Sequence, residues 1–203
     1  IKNTKQGLSD NDISSIANDA HGFLWLGTNE GLNRYDGYEF KTYQSNFFDS
    51  TALSGNVIWS IFKDSDGDIW VGTDKGIDQY IYGLDQFKRY DLGSKPTSIM
   101  QDETDGSIVV ASENTGLHLI NKRDQSKRSF KNDPNDGFSI SSNSFSINQH
   151  NPIAIDELGN IWAGTDNGLN YYRKDKDIFT RFNQREGLSG NKINTLMAKG
   201  DFI

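Results

Sequence analysis

The sequence predicts an all-β fold built from repeats, and three observations support this prediction. The run Trp-Leu-Gly-Thr-Asn-Glu-Gly-Leu at residues 25–32 returns in closely similar form at 70–77 and 162–169, and a divergent copy lies at 109–117. Aromatic residues make up 12% of the 203 residues and there are 20 glycines, as expected for short strands joined by tight turns. A unit this short cannot bury its own apolar face, so neighbouring units must pack against one another.

The spacing of the copies indicates the kind of repeat. The aligned positions Gly27, Gly72, Ala111 and Gly164 give a period of about 46 residues, which is typical of a four-stranded propeller blade. Leucine-rich repeats are shorter, and the apolar spacing of helical repeats is missing. We therefore expect a β-propeller fragment of about four four-stranded blades and the start of a fifth. The expected blades are residues 8–48, 49–93, 94–133 and 134–183, and the incomplete fifth is 184–203.

Each complete copy divides into four predicted strands. A turn that contains Asp and Gly separates the first strand from the second, which carries the Trp-x-Gly-Thr run, and the glycine supplies the positive φ that such a turn needs. In the first copy the first strand, the turn, the third strand and the fourth strand are residues 11–16, 19–22, 31–35 and 40–43. In the second copy they are residues 56–61, 64–67, 76–80 and 87–90.

The composition argues against several classes of protein. The formal net charge is −7, and no basic run is longer than Lys122-Arg123, so binding to nucleic acid is not expected. The absence of cysteine excludes disulfides, thiolate nucleophiles and zinc–thiolate sites. No stretch approaches the roughly 18 apolar residues of a membrane span. Because the fifth repeat is only begun, we expect the chain to be a piece of a longer protein that continues with further blades.

No arrangement of residues predicts catalysis. The three histidines, His21, His118 and His150, are scattered and lack the spacing of metal ligands. Residues 64–68 superficially resemble a calcium loop, but the glycine is fourth rather than sixth and no glutamate follows at the twelfth position. Neither a nucleophile elbow nor a phosphate loop occurs. We expect no catalytic residue, no metal and no cofactor in this segment.

The repeat resembles the two-component-regulator propeller repeat. The resemblance rests on Leu-Ser-x-Asn at 53–56, Asp-x-x-Gly at 64–67, Trp-x-Gly-Thr at 70–73, Gly-Ile at 76–77 and the following Tyr80. It implies the periplasmic sensor of a hybrid two-component histidine kinase of gut Bacteroidetes. The parent chain would then carry two seven-bladed rings, an immunoglobulin-like module, a membrane helix, a histidine kinase, a receiver and a DNA-binding domain.

The same resemblance implies recognition and signalling without chemistry in this segment. The implied ligand is an oligosaccharide released from a polysaccharide, and the implied partners are the remaining blades and a second copy in a homodimer. Rearrangement of that dimer would change kinase activity across the membrane, and a phosphorelay would then regulate transcription.

Two copies depart from the repeat. The third has Val109 in place of Trp and Ala111-Ser112 in place of Gly-Thr. The fourth has about five extra residues between Asn143 and Asp156, compared with the second copy. We expect the contacts of these blades with their neighbours to differ from those of the first two.

Propeller geometry predicts where a ligand would bind. The loop before the first strand and the turn between the second and third strands lie on one face of a ring, where asparagines either bind sugar hydroxyls or cap turns. Residues that break the repeat are further candidates, since a ligand is not symmetric. We assign Asn56, Trp59, His150 and Asn151 as candidate ligand-binding residues. Trp59 aligns with Ser14 on the first strand, and the last two lie in the insertion of the fourth copy.

Two other classes of function stay open at this stage. The first is a structural scaffold whose ring mediates dimer contacts while a ligand binds elsewhere. The second is a propeller enzyme such as a lyase or a sialidase. Such an enzyme should carry clustered His, Arg or Tyr residues on the rim, and this sequence shows no such cluster.

Overall fold

The computed structural model describes residues 7–145 and 151–197. The chain divides into two compact units, residues 1–96 and 97–203. Each unit is built around two four-stranded antiparallel sheets, in which strands consecutive in the sequence are neighbours. No α-helix occurs in the described ranges, and no helix there is long and apolar enough to cross a membrane. The sheets have the strand order of propeller blades, as the repeat predicts.

The first unit contains strands β1 to β8. The first sheet consists of β1 Ile13–Asn18, β2 Leu24–Thr28, β3 Gly31–Tyr35 and β4 Phe40–Tyr43. The second consists of β5 Ile58–Lys63, β6 Ile69–Thr73, β7 Gly76–Ile81 and β8 Gln86–Asp91. A buried cluster that includes Trp25, Leu32, Ile58, Val71 and Tyr80 forms the core of this unit.

The second unit repeats the arrangement. Its first sheet consists of β9 Pro96–Gln101, whose first residue belongs to the first unit, β10 Ile108–Ser112, β11 Gly116–Ile120 and β12 Lys127–Phe130. Its second sheet consists of β13 Ile153–Ile155, β14 Ile161–Thr165, β15 Gly168–Arg173 and β16 Ile178–Phe182. After β16 the described part of the expected fifth repeat holds one 3-10 turn, Gln184–Glu186.

The first strands begin later than the sequence predicts. We expected them at residues 11–16 and 56–61, whereas β1 begins at Ile13 and β5 at Ile58. The reason is that Asn56 belongs to the preceding turn, where its side-chain oxygen accepts a hydrogen bond from the Ser45 N–H at 2.7 Å. The prediction was wrong by two residues at the start of both strands.

An aspartate anchors the turn between the first and second strands. Asp19 Oδ1 accepts the N–H groups two and four residues later, at 2.8 and 2.9 Å, and its Oδ2 accepts Trp25 Nε1–H at 2.7 Å. Asp64 repeats these contacts, with Trp70 Nε1 at 2.9 Å. Burial opposes the charge on Asp19, but the hydrogen bonds outweigh it and lower its pKa. The same side chain therefore closes the turn and fixes the tryptophan in the core.

Glycine on the second strand permits close contact with the next repeat. A methyl group at Gly27 would lie 2.6 Å from Ile58 Cγ2, and one at Gly164 would lie 2.5 Å from Ile193 Cγ2. Ile193 holds the position in the fifth repeat that Ile58 holds in the second. In the third copy, Ala111 takes the glycine position and lies in one buried cluster with Phe145.

A second buried network ties each loop that precedes a first strand to its sheet. In three copies a loop serine donates its N–H to an Asn or Asp on the third strand. The N···O distances are 3.0, 2.7 and 2.7 Å for Ser9–Asn33, Ser54–Asp78 and Ser141–Asn170. The same serine hydroxyls meet the threonine of the Gly-Thr pair at 2.9, 2.7 and 3.0 Å. The Leu-Ser-x-Asn run and the Gly-Thr run therefore recur together because they contact each other.

The turn between the third and fourth strands carries an aspartate that holds a buried tyrosine. The Tyr80 hydroxyl donates to Asp85 at 2.6 Å, and the Tyr172 hydroxyl donates to Asp177 at 2.8 Å. Both aspartates have positive φ, 56° and 57°. Burial opposes the charge on Asp85, but hydrogen bonds from Lys41 and two tyrosines lower its pKa to about 2. Lys41 and Tyr43 lie on β4, so their hydrogen bonds to Asp85 join the two sheets of the first unit at their outer strands.

Replacing Gly27 by alanine tests the close contact between sheets. We expect Gly27→Ala to lower the free energy of unfolding by about 1–3 kcal/mol, because Ile58 must shift to admit the methyl group. Combining it with Ile58→Ala should cost less than the two single changes added together. Gly83→Ala is the matched control, since no atom lies within 4 Å of its methyl position. Urea unfolding measures all four variants, and equal losses for the Gly27 and Gly83 variants would contradict the contact.

Asp78 predicts an unusual pH dependence of stability. Its Oδ2 accepts two hydrogen bonds from Ser54, but its buried Oδ1 has no partner among the described residues. At the equivalent position, Asn170 uses an amide N–H to reach the Ala163 carbonyl at 3.1 Å. Burial raises the pKa of Asp78 to about 6, although Ser54 and the charge of Arg89 act against it.

The pKa of Asp78 is higher in the folded chain than in the unfolded chain. Its contribution to the free energy of unfolding is therefore fully present below about pH 4 and is lost as the pH rises through about 6. We therefore expect Asp78→Asn to raise the free energy of unfolding by about 2–3 kcal/mol at pH 7. It should also remove the decrease of stability between pH 4 and pH 8. Urea unfolding between pH 4 and pH 8 measures it, with the exposed Asp91→Asn as the control. An unchanged slope in the Asp78 variant would contradict the assignment.

Candidate ligand-binding site

Trp59 lies at an irregularity in the strand that carries it. The pairing of β5 with β6 shifts register between Ile58 and Ser60, and β1 shifts in the same way on either side of Ser14. A bulged residue is left out of the ladder, and its side chain is re-aimed. Trp59 is 45% exposed, and the Lys95 ammonium lies 3.9 Å from its ring centroid. The alignment with Ser14 is confirmed, and the exposed indole is paired with a cation.

Asn56 has a contact that recurs in the chain. Its Oδ1 accepts the Ser45 N–H, while Asn143 Oδ1 accepts the Asn132 N–H at 2.7 Å. In the fifth repeat, Asn191 Oδ1 accepts the N–H of Gln184 at 3.0 Å. The side-chain oxygen of each asparagine thus holds a backbone N–H of a preceding loop, and among the described residues its amide N–H groups have no partner.

Of the two candidates in the fourth copy, only Asn151 lies among the described residues. His150 lies outside the described residues. Asn151 is exposed and has φ of 54°, and its carbonyl accepts the Leu196 N–H at 2.9 Å. It belongs to the second unit, whereas Asn56 and Trp59 belong to the first. The binding role of all four residues stays a prediction.

A pocket that the sequence did not predict opens in each unit at equivalent repeat positions. In the first unit its volume is about 430 Å³ and its walls are Ser54, Asp74, Lys75, Arg89, Asp91 and Gly93. In the second unit its volume is about 310 Å³ and its walls are Ser141, Asn167, Arg181, Asn183, Arg185 and Asn191. Each pocket lies between the loop before a first strand, the turn after the second strand, and the end of the fourth strand. The one sequence signal was the recurrence of arginine on the fourth strand, at Arg89 and Arg181.

These arginines shape the pockets by holding a loop. Arg89 donates to the carbonyl oxygens of Ala52, Asp49 and Leu53 at 2.8, 2.7 and 2.9 Å. Arg181 donates to the carbonyl of Ser139 at 2.7 Å in the same way. The guanidinium therefore lies at the pocket wall in a fixed orientation, because several N–H groups are bound to the backbone at once.

No catalytic constellation is found in the described ranges. His118 is buried, with Nδ1 2.8 Å from Ser129 Oγ and Nε2 3.0 Å from Ser112 Oγ. Burial, with the charges of Lys127 and Lys131, lowers its pKa to about 4, so the ring is neutral at pH 7. It occupies the repeat position of Asn33 and Asn170, which indicates a packing role. Among these residues no three His, Cys, Asp or Glu side chains cluster to hold a metal ion.

Comparison with known proteins identifies part of the repeat. A family profile described as "Two component regulator propeller" matches residues 7–30 and 52–75. Histidine kinase P4 from Formosa agariphila is 47% identical over 47 residues, which is 23% of this chain and 3% of that protein. The chain is therefore similar to a small part of a much longer protein.

Solved structures extend the similarity to nearly the whole chain. The extracellular domain of a hybrid two component system from B. thetaiotaomicron has a TM-score of 0.64 at 25% identity, over 92% of this chain and 24% of that one. A second such extracellular domain from the same organism has a TM-score of 0.59 at 25% identity, over 89% of this chain and 31% of that one. Virginiamycin B lyase from Staphylococcus aureus has a TM-score of 0.55 at 17% identity, over 84% of this chain and 55% of that one. At that identity the last shows the fold alone.

The repeat motifs, the four-stranded sheets and these similarities agree with one another. The chain resembles the extracellular sensor domains of hybrid two-component systems. Residues 7–30 and 52–75 match the two-component regulator propeller repeat, and the chain is a β-propeller segment.

Proposed function

We propose that the chain is the ligand-recognition part of the periplasmic sensor of a hybrid two-component histidine kinase. The observation that carries the proposal is the 25% identity to a hybrid-system extracellular domain over 92% of this chain. The chain spans 3% of its curated relative and about a quarter of that solved domain. The kinase, the receiver and the membrane anchor are therefore features of the proposed parent protein.

The proposed ligand is an oligosaccharide released from a polysaccharide. An exposed indole offers an apolar face to the C–H side of a sugar ring, and Trp59 offers such a face together with the Lys95 ammonium. The two repeat pockets offer amide, hydroxyl and guanidinium groups at the walls. Such groups donate hydrogen bonds to sugar hydroxyls.

Signalling would follow from a change in dimer packing. A ligand shifts an equilibrium between two arrangements only by the difference between its affinities for them. An oligosaccharide that binds one arrangement of the ectodomain dimer more tightly would therefore change the kinase output. The segment itself performs no bond chemistry in this proposal.

A structural scaffold is the second candidate, and one observation favours it. Phe47 and Phe48 are each 93% exposed and lie in edge-to-face contact, with ring centroids 5.3 Å apart. Exposed apolar side chains in contact commonly mark a protein interface. In that case the propeller would hold two protomers together, and the ligand would bind elsewhere. The propeller-lyase alternative rests on the fold alone, because the lyase similarity is at 17% identity.

Alanine substitution at Trp59 separates sensing from scaffolding. We expect Trp59→Ala to weaken oligosaccharide binding at least tenfold, because it removes the exposed ring, while Phe48→Ala leaves binding unchanged. Binding of the full 203-residue chain to an array of neutral and acidic oligosaccharides measures this, and light scattering measures the mass of each variant. If no oligosaccharide binds, and Phe48→Ala lowers the mass from dimer to monomer, the scaffold is supported instead.

A further inference from the structure

The two repeat pockets have the same construction but differ in the charge of their walls. Five of the six wall positions of the second pocket correspond to positions in the first, namely 141 to 54, 167 to 75, 181 to 89, 183 to 91 and 185 to 93. The first pocket contains two carboxylates and two cationic groups. The second pocket contains two arginines, three asparagines and one serine, with no carboxylate in its wall.

The second pocket lacks a counterpart of Asp74 in its wall, because the corresponding carboxylate binds other groups. Asp166 corresponds to Asp74, and its Oδ2 accepts the Ser144 hydroxyl at 2.6 Å while its Oδ1 lies 3.7 Å from Lys192 Nζ. A second nearby carboxylate, that of Glu186, accepts the Asn183 N–H at 2.9 Å. Asp74, by contrast, forms part of the first pocket and pairs with Lys75 at 3.1 Å. Only the first pocket therefore neutralises its own cationic groups.

The two arginines of the second pocket differ in the hydrogen bonds that their guanidinium groups make. Arg181 is bound to its loop, with Nη2 also donating to the Asp136 carbonyl at 2.8 Å. The Arg185 side chain is exposed and its guanidinium has no hydrogen-bond or ion-pair partner in the described part of the chain. The amide N–H groups of Asn183 and Asn191 are likewise unused there, since only their oxygens accept hydrogen bonds. The pocket thus combines one available cation with neutral donors.

We propose that this pocket binds an acidic sugar residue of the oligosaccharide, with its carboxylate at Arg185 and its hydroxyls at the amide groups of Asn183 and Asn191. A planar guanidinium matches a carboxylate in two-point contact, and such charge-assisted bonds are stronger than neutral ones. The volume of about 310 Å³ is at the lower end of the range for small-ligand pockets. This inference rests on the proposed sensor function and adds the chemical class of its ligand.

The net charge of the chain does not favour acidic ligands, so selectivity for an acidic sugar must arise inside the pocket. With a net charge of −7 the chain repels polyanions at long range. Binding of an acidic sugar must then come from contacts inside the pocket. The exposed guanidinium predicts that affinity falls as ionic strength rises, because salt screens exposed charges.

Calorimetric titration of the full 203-residue chain tests the proposal. The probes are acidic trisaccharides, namely trigalacturonate, a guluronate trimer and a mannuronate trimer, with neutral maltotriose and methyl-esterified trigalacturonate for comparison. We expect at least one acidic trisaccharide to bind, and its neutral counterpart to bind at least tenfold more weakly. Arg185→Ala should weaken the acidic ligand at least tenfold, and Arg185→Lys should recover part of the loss.

Lys176→Ala is the matched control, because Lys176 is an exposed cation of the second unit that lines neither repeat pocket. It should leave acidic-sugar affinity unchanged. All three variants should keep the wild-type thermal midpoint, since these side chains are exposed.

Acidic-sugar binding that is unaffected by Arg185→Ala would overturn this site and leave the sensor function standing. Binding of neutral sugars alone would do the same. Sulfate ions that displace the trisaccharide at equal concentration would indicate an adventitious anion only and would also overturn the proposal. If no sugar of either kind binds, both the pocket assignment and the proposed recognition of oligosaccharides are contradicted.

Discussion

Close approach of successive sheets at the second-strand glycine is the constraint on which the rest of each unit depends. Ile58 lies against Gly27, and Ile193 lies against Gly164, at distances that a methyl group would not allow. Protein interiors are packed densely, so one extra carbon at this point would displace the isoleucine side chain that lies against the glycine. The neighbouring tryptophan and threonine form hydrogen bonds within their own repeat, with Asp19 and Ser9 in the first copy. The repeated run therefore combines one contact between neighbouring repeats with hydrogen bonds inside each repeat.

One buried position of the repeated network holds chemically different residues, which differ in how fully their polar atoms are hydrogen-bonded. Asn33, Asp78, His118 and Asn170 occupy one position of the third strand, and all are buried. The asparagines satisfy both ends of the amide, and His118 reaches two serines through its ring nitrogens. Asp78 leaves one oxygen without a partner in the described residues. Burial of the charged form raises the pKa of Asp78 to about 6, and the unpaired oxygen gives that charge no compensating hydrogen bond.

The sequence could predict those parts of the fold that depend on local pattern. The strands β3 Gly31–Tyr35 and β4 Phe40–Tyr43 have the expected limits, because a Gly turn and alternating aromatics define them locally. The first strands could not be placed as well, since Asn56 joins a turn through a long-range bond to Ser45. The sequence also could not predict the contact of Lys95 with Trp59 or the two pockets. They depend on side chains that only the folded chain brings together.

The contrast between the two pockets shows that the charge of a repeat pocket can change while its construction is kept. The residues that hold the shared construction, such as Arg89 and Arg181, bind loop carbonyls in both units. The charge differs because Asn183 replaces an aspartate and Arg185 replaces a glycine at corresponding positions. Neither change touches the glycine contact, the aspartate turn or the serine network. The charge of the pocket can therefore change at the end of the fourth strand, because other residues stabilise the fold.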